Sequence, residues 1–282
     1  AALPDAGHVA VGFPPARLPA DRGQRPRALP VLRHGVRPQG LTGCRAFGFF
    51  RDMDRYKSYQ PVVAALINAR RPGSILDAPS GSGWLKSLIA HDCQIDGIDL
   101  FAPSPTGYRG FRNADLGRGF PQELGIYDAI VCCEGIEHFG NPEMFFTSAR
   151  EHLSVNGLLI VTTPNVWYPQ ARLQYMLRGF FPSFPCLVGK IKQGTHMHIM
   201  PWSFAQLYLY LSLSGFKDIN LHELNEPKPK RMYERVFGLP HRLYCLSKAR
   251  RAGTEIERVF WQQAGSRQSI YGRRLVVSAV PA

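Results

Sequence analysis

Two strings in this 282-residue chain bring together side chains that can do chemistry. Cys133-Glu134-Gly135-Ile136-Glu137-His138 sets two carboxylates three residues apart, with an imidazole beside the second. That spacing turns both acids to one side of a helical turn. Gly194-Thr195-His196-Met197-His198 adds two further imidazoles. Glu134, Glu137, His138 and His198 could hold a divalent ion such as Mg²⁺, Mn²⁺ or Zn²⁺, because a mixed oxygen and nitrogen donor set suits these metals. An ion there would draw a hydroxyl proton toward release. Without a metal the catalytic set is Glu137, His138 and His198, with His138 or His198 as general base, since imidazole titrates near neutral pH. A structural reading stands beside these, in which the string only opens the next helix.

A second constellation lies upstream. Asp77-Ala78-Pro79-Ser80-Gly81-Ser82-Gly83 follows a short apolar run, and Asp99 closes the next one. A strand, a glycine turn and a helix make a nucleotide site, because glycine lets the backbone approach a ligand and a helix start offers free N–H groups. An acid ending the second strand accepts from ribose hydroxyls. A dinucleotide fingerprint would need another glycine where Lys86 stands. No Tyr-x-x-x-Lys pair is present either: Tyr56 is followed by Gln60 and Tyr168 by Arg172. Both points count against an NAD(P)-dependent oxidoreductase or epimerase, which is kept as an alternative.

Apolar periodicity predicts the elements that hold these residues. A helix is expected over 51–71, ended by Pro72-Gly73, and others over 84–91, 142–153 and 202–214. Strands are expected over 74–78, 94–100, 109–113, 127–133, 157–163, 216–224 and 274–279. Strands alternating with helices give an α/β fold: a Rossmann-like, seven-stranded, mostly parallel sheet with helices on both faces.

On these residues the sequence resembles the class I S-adenosylmethionine-dependent methyltransferases. Asp77 through Gly83 fits their first motif in register, with Pro79 where the family's first glycine usually lies. The resemblance implies that S-adenosyl-L-methionine is the cofactor and that Asp77 orients its amino-acid end. Gly81 and Gly83, with Pro79, would line its methionine side, and Asp99 with Leu100 would hold the ribose. Asp115 and Leu116 would meet the adenine, and Glu134 would close the site from the fourth strand. The Glu-x-x-Glu-His string is similar to quinone-pathway O-methyltransferases and to small-RNA 3′-end 2′-O-methyltransferases. Pro164-Asn165-Val166 through Arg172-Leu173 to His198 and Pro201 is similar to bacterial methyltransferases of surface-polysaccharide synthesis. O-methylation of a small molecule, sugar or glycan is the implied reaction, with RNA 2′-O-methylation as a further alternative.

Charge and composition frame the partners. The net charge is +13, with +5 in residues 1–50, +1 in 51–221 and +7 in 222–282. A near-neutral centre does not favour a general nucleic-acid binder. Residues 1–47, with seven prolines and no apolar period, are expected to be a disordered or loosely wrapped Pro/Arg-rich arm. Residues 48–282 are expected to form the catalytic domain, with a lid insertion over 165–200 and a basic insertion over 225–271. The lid holds Trp167, Tyr168, Arg172, Tyr175 and Phe180, which suits a small-molecule or glycan acceptor. Residues 228–251 mix bases with apolar residues and could touch an anionic membrane surface, although Pro240 is expected to break a long helix there. Six cysteines without a CxxC pair, and no secretory pattern at the first residues, point to a cytoplasmic chain, peripheral at most to the membrane.

Overall fold

The computed structural model describes residues 57–181, 198–226 and 232–282. The arm expected over 1–47 lies outside them, as do the start of the 51–71 helix and residues 182–197 of the lid.

Seven strands form one sheet: β1 (Ser74–Asp77), β2 (Gln94–Asp99), β3 (Gly110–Asn113), β4 (Tyr127–Cys133), β5 (Leu153–Pro164), β6 (Phe216–Leu221) and β7 (Arg274–Pro281). Their order is β3-β2-β1-β4-β5-β7-β6. The first five are parallel, and β7 runs antiparallel between β5 and β6. The helices are α1 (Gln60–Arg70), α2 (Pro142–Glu151), α3 (Pro169–Arg178), α4 (Phe204–Leu213), α5 (Met232–Arg250), α6 (Glu255–Ala264) and α7 (Arg267–Tyr271).

Alternation along the strands divides the core in two. Ala129, Val131 and Cys133 of β4 face Tyr59, Val63 and Ile67 on and beside α1. Ile130 and Cys132 face the opposite way, toward Phe145 and Phe146 of α2 and Phe204 and Leu207 of α4. Both faces are therefore covered, as near-continuous apolar strands require.

β5 starts four residues before the expected 157 and β6 stops three before the expected 224, and three further elements differ from the sequence expectation. The first helix begins at Gln60, because Pro61 seats in the opening turn, where its missing N–H costs nothing. The helix expected after the glycine turn is only a 3₁₀ turn, Trp84–Leu88. Asn68 stops it from α1: its side chain donates to the Leu88 carbonyl and accepts from the Ala90 N–H. The third difference is α5, which runs unbroken through Pro240. The carbonyl that Pro240 leaves without its helical partner belongs to Val236, on the exposed side where water can serve it. On the inner side Gly238 lies against the Tyr271 ring, so close that a Cβ would stand 2.4 Å from the hydroxyl oxygen. That packing holds the helix together.

The exit of β5 is fastened to the entry of β7. Asn165 is buried; its side chain donates to the Ser269 and Gly272 carbonyls at 2.9 and 2.8 Å and accepts from the Trp167 N–H at 3.0 Å. Asn165→Ala leaves two buried carbonyls and an N–H without this partner. It is expected to cost about 2–4 kcal/mol of stability, at about 1–3 kcal/mol for each group left unsatisfied and allowing for relaxation. Urea unfolding with an unchanged slope and a lowered midpoint would bear this out; an unchanged midpoint would refute it.

Candidate active site

Five parallel strands place their carboxyl ends along one edge, and the antiparallel β7 begins at that same edge. Asp77 ends β1, Asp99 ends β2, Glu134 follows β4 and Arg274 opens β7. The residues singled out from sequence converge there for this reason.

The glycine turn is shaped by close approach. Gly83 has φ +70°, and a Cβ there would lie 2.4 Å from Pro105. Gly135 packs on Pro79, where a Cβ would stand 2.3 Å from the ring. Gly81 has φ +51° and open space where its Cβ would be. Asp99 fixes this turn to β2: one carboxylate oxygen accepts the Gly81 N–H at 3.0 Å, and the other accepts from Phe101 and Ala102 at 2.9 and 2.8 Å. Leu100 beside it is exposed.

Asp77 is fully buried, and burial pushes its carboxyl up to about 8, against the hydrogen bond donated by the Tyr108 hydroxyl. Its other oxygen, Oδ1, has no hydrogen-bond partner among the described residues. Tyr108 arches over Gly97, whose Cβ position would be 3.0 Å from its ring, and its own hydroxyl is pushed up by burial. Asp115 caps a 3₁₀ turn through the Gly117 N–H at 2.9 Å and pairs with Arg118 at 3.4 Å. Leu116 is packed into the core below it.

After β4 the chain turns sharply. Glu134 has φ +51°, and its N–H donates to the Thr162 carbonyl. Its carboxylate lies 3.5 Å from the Arg274 guanidinium, which stands 6.0 Å from the centre of the Tyr59 ring. Glu134 is thus outside the cluster made by the other candidate ligands. Those are Glu137, His138 and His198, whose donor atoms lie within 4.8 Å of one another. Glu137 is buried and accepts from the Thr163 hydroxyl at 3.0 Å. Its Oε1 has no hydrogen-bond partner among the described residues and lies 3.9 Å from His138 Nε2. Burial, reinforced by the Glu134 charge, pushes Glu137 up to about 8. The His138 and His198 rings meet edge to face at 4.9 Å.

The main chain brings His198 to this place. The Glu137 carbonyl accepts from the N–H groups of Ile199 and Met200 at 2.9 and 3.1 Å. The Val166 N–H donates to the Trp202 carbonyl at 3.0 Å, so the two ends of the lid insertion meet. One carboxylate and two imidazoles with an unpartnered inward oxygen fit a divalent cation of the Zn²⁺ or Mn²⁺ type. They equally fit a proton-transfer set. Sequence reasoning did not find Tyr108, Thr163 or Arg274 as site residues. Tyr108 sits in an irregular stretch and reaches Asp77 across the sheet edge, which no local periodicity signals.

Residues 50–219 match a family model described as a methyltransferase domain. Among curated relatives, a ubiquinone biosynthesis O-methyltransferase of Rickettsia canadensis (strain McKiel) is 23% identical over 152 residues, 51% of this chain and 62% of that protein. Its counterpart in Rickettsia akari (strain Hartford) is 27% identical over 99 residues, 35% of this chain and 36% of that protein. The matched stretches thus span less than two-thirds of these relatives' own length. A solved SAM-dependent methyltransferase from Archaeoglobus fulgidus is 12% identical, with 84% of this chain and all of that chain covered at a TM-score of 0.46.

The buried Asp77 has a consequence for stability. Above about pH 4 the unfolded chain has lost the proton, whereas the fold keeps it up to about pH 8. Stability is therefore lost as pH rises through that window. Asp77→Asn removes this share. Its melting temperature relative to the parent is expected to climb between about pH 5 and about pH 8. A constant difference across that range would mean the carboxyl is ionised throughout.

Proposed function

The chain belongs to the methyltransferase domain family, and on that footing we propose that it moves a methyl group from S-adenosylmethionine to an oxygen of a small-molecule or glycan acceptor. The observation that carries the choice of oxygen is the gathering of Glu137, His138 and His198 at the carboxyl end of β4. An alcohol or phenol must lose its proton as it attacks, and these groups are placed to take it.

S-adenosylmethionine supplies a methyl already activated by its sulfonium, which leaves alignment and proton removal to the chain. Open space above Gly81 admits the amino-acid end of that molecule. Asp77 would orient the ammonium end, directly or through water, and a cation held near it would favour the ionised carboxylate. Asp99 takes three N–H groups, which hold the Gly81 turn, and the oxygen facing Gly81 keeps a lone pair that would accept from a ribose hydroxyl.

On the acceptor side, the Glu137 carboxyl lies 3.9 Å from His138 Nε2, and the His198 ring meets that of His138 edge to face. Where a divalent cation is used, Glu137, His138 and His198 would hold it, and bound there it would lower the pKa of the acceptor hydroxyl. The lid offers Tyr168, with the Arg273 guanidinium 4.9 Å above its ring, as a flat and cationic wall for a sugar or aromatic ring. The curated relatives named as ubiquinone biosynthesis O-methyltransferases support oxygen as the target.

Titrating S-adenosylhomocysteine into chelator-treated protein, with and without Mn²⁺, tests the cofactor assignment. Single-site micromolar binding is expected, and Asp99→Ala should weaken it by about a hundredfold, through loss of a charge-assisted bond to the ribose and of the hold on the Gly81 turn. Normal affinity in that variant would remove the assignment. His138→Ala and His198→Ala should each lower kcat on a phenol or sugar hydroxyl by about a hundredfold, with S-adenosylhomocysteine affinity unchanged. Transfer to amines alone, measured by mass spectrometry of the products, would overturn the choice of oxygen.

A further inference from the structure

The inner and outer faces of α5 are both apolar in part, which a helix covering a core does not need. Toward the core it buries Gly238, Cys245 and Ala249. On the opposite side Met232, Val236, Leu239, Leu243 and Leu246 recur at alternating spacings of four and three and form one stripe. They are 39–81% exposed. Exposed apolar residues scattered singly are ordinary, but five in register along nineteen residues of helix are not.

The charge around the stripe has one sign. Arg235 and Arg242 flank it on one side, and Lys248, Arg250 and Arg251 gather at its end, all exposed. The only acid in α5, Glu234, is buried. The neighbouring α3 extends the same character: it contains no acid, exposes Tyr175, Met176 and Leu177, and ends in exposed Arg178. Arg172 ties the two helices by donating to the Phe237 carbonyl at 3.3 Å.

We infer that this face docks on an anionic lipid surface, with the stripe seated among the acyl chains near the headgroups and the arginines and lysines on the phosphates. No described helix is long and apolar enough to cross a membrane, so the contact is with the surface. The charge pattern decides the occupant. A second copy seated on the stripe would meet Arg235 and Arg242 with no exposed carboxylate of its own α5 in either orientation. An anionic headgroup layer answers every one of these cations. This inference does not rest on the methyl-transfer chemistry.

Cosedimentation of the full chain with phosphatidylglycerol–phosphatidylcholine vesicles tests it, with pure phosphatidylcholine vesicles as the comparison. Binding to the anionic vesicles at low salt, weakened as salt screens the charges, is the expected result. The pair Leu239→Gln with Leu243→Gln should lower the partition coefficient by roughly tenfold, for loss of two inserted side chains. The pair Arg235→Ala with Arg242→Ala should lower it by a similar factor through charge alone. Circular dichroism and S-adenosylhomocysteine affinity of both pairs should match the parent. Absence of binding to anionic vesicles would overturn the inference, as would binding that neither pair changes. A parent dimer in light scattering that the leucine pair converts to monomer would assign the stripe to a second copy instead.

Discussion

One carbonyl group organises the site. The main-chain oxygen of Glu137 receives two N–H groups, from Ile199 and Met200. Those residues return from an insertion that left the sheet at Pro164, and His198 precedes them directly. Without this bifurcated contact, nothing in the strand geometry would bring a histidine from the lid to the end of β4. With it, the imidazole of His198 is fixed at 4.9 Å from that of His138 while the Glu137 side chain is turned into the fold. Glu137 thus places His198 through its backbone and joins the same cluster through its side chain.

The electrostatics of the edge follow from burial. Asp77 and Glu137 are both pushed up to about 8, and in each case the largest cause is loss of water around the carboxyl. Glu134 lies beside Arg274, at 3.5 Å. The edge therefore holds two carboxyls that gain most from a cationic partner and one already supplied with a cation. A ligand with an ammonium group or a bound metal relieves the first two, and interactions in such a dry setting are stronger than the same contacts in water. The depth of these acids, as much as their identity, would reward a positively charged ligand.

Much of this was legible in the sequence. The seven strands, their mostly parallel arrangement and the convergence of Asp77, Asp99 and the Glu-x-x-Glu-His string follow from periodicity and from the rule that chemistry gathers at strand ends. β4 runs from Tyr127 to Cys133, the span its apolar run indicates. The departures have local causes. Asn68 cuts short the helix after the glycine turn through two hydrogen bonds across about twenty residues, and propensity does not register such a partner. Pro240 is a breaker by local rules, but the fit of Gly238 against Tyr271 outweighs it. Glu134 and Glu137 share a spacing and still diverge, since the turn at φ +51° aims the first toward β7. The Tyr108 to Asp77 contact joins loops that only the sheet brings together.

The position of β7 has a bearing on how the chain reaches this state. Leu159 in the middle of the sheet pairs with Ala279, and Val161 with Val277, so the flank of β5 is completed only by residues far downstream. Leu275, Val276 and Val277 are essentially inaccessible in the finished fold. Until they arrive, β5 presents an unpaired and strongly apolar edge, the kind that invites pairing with another chain. Closure of the sheet must wait on a loop that includes the whole lid, β6 and four further helices, and contacts of such long range form slowly. The same strand that locks Arg274 beside Glu134 thus leaves the early chain with an open apolar edge until it docks, the kind of exposure that favours aggregation.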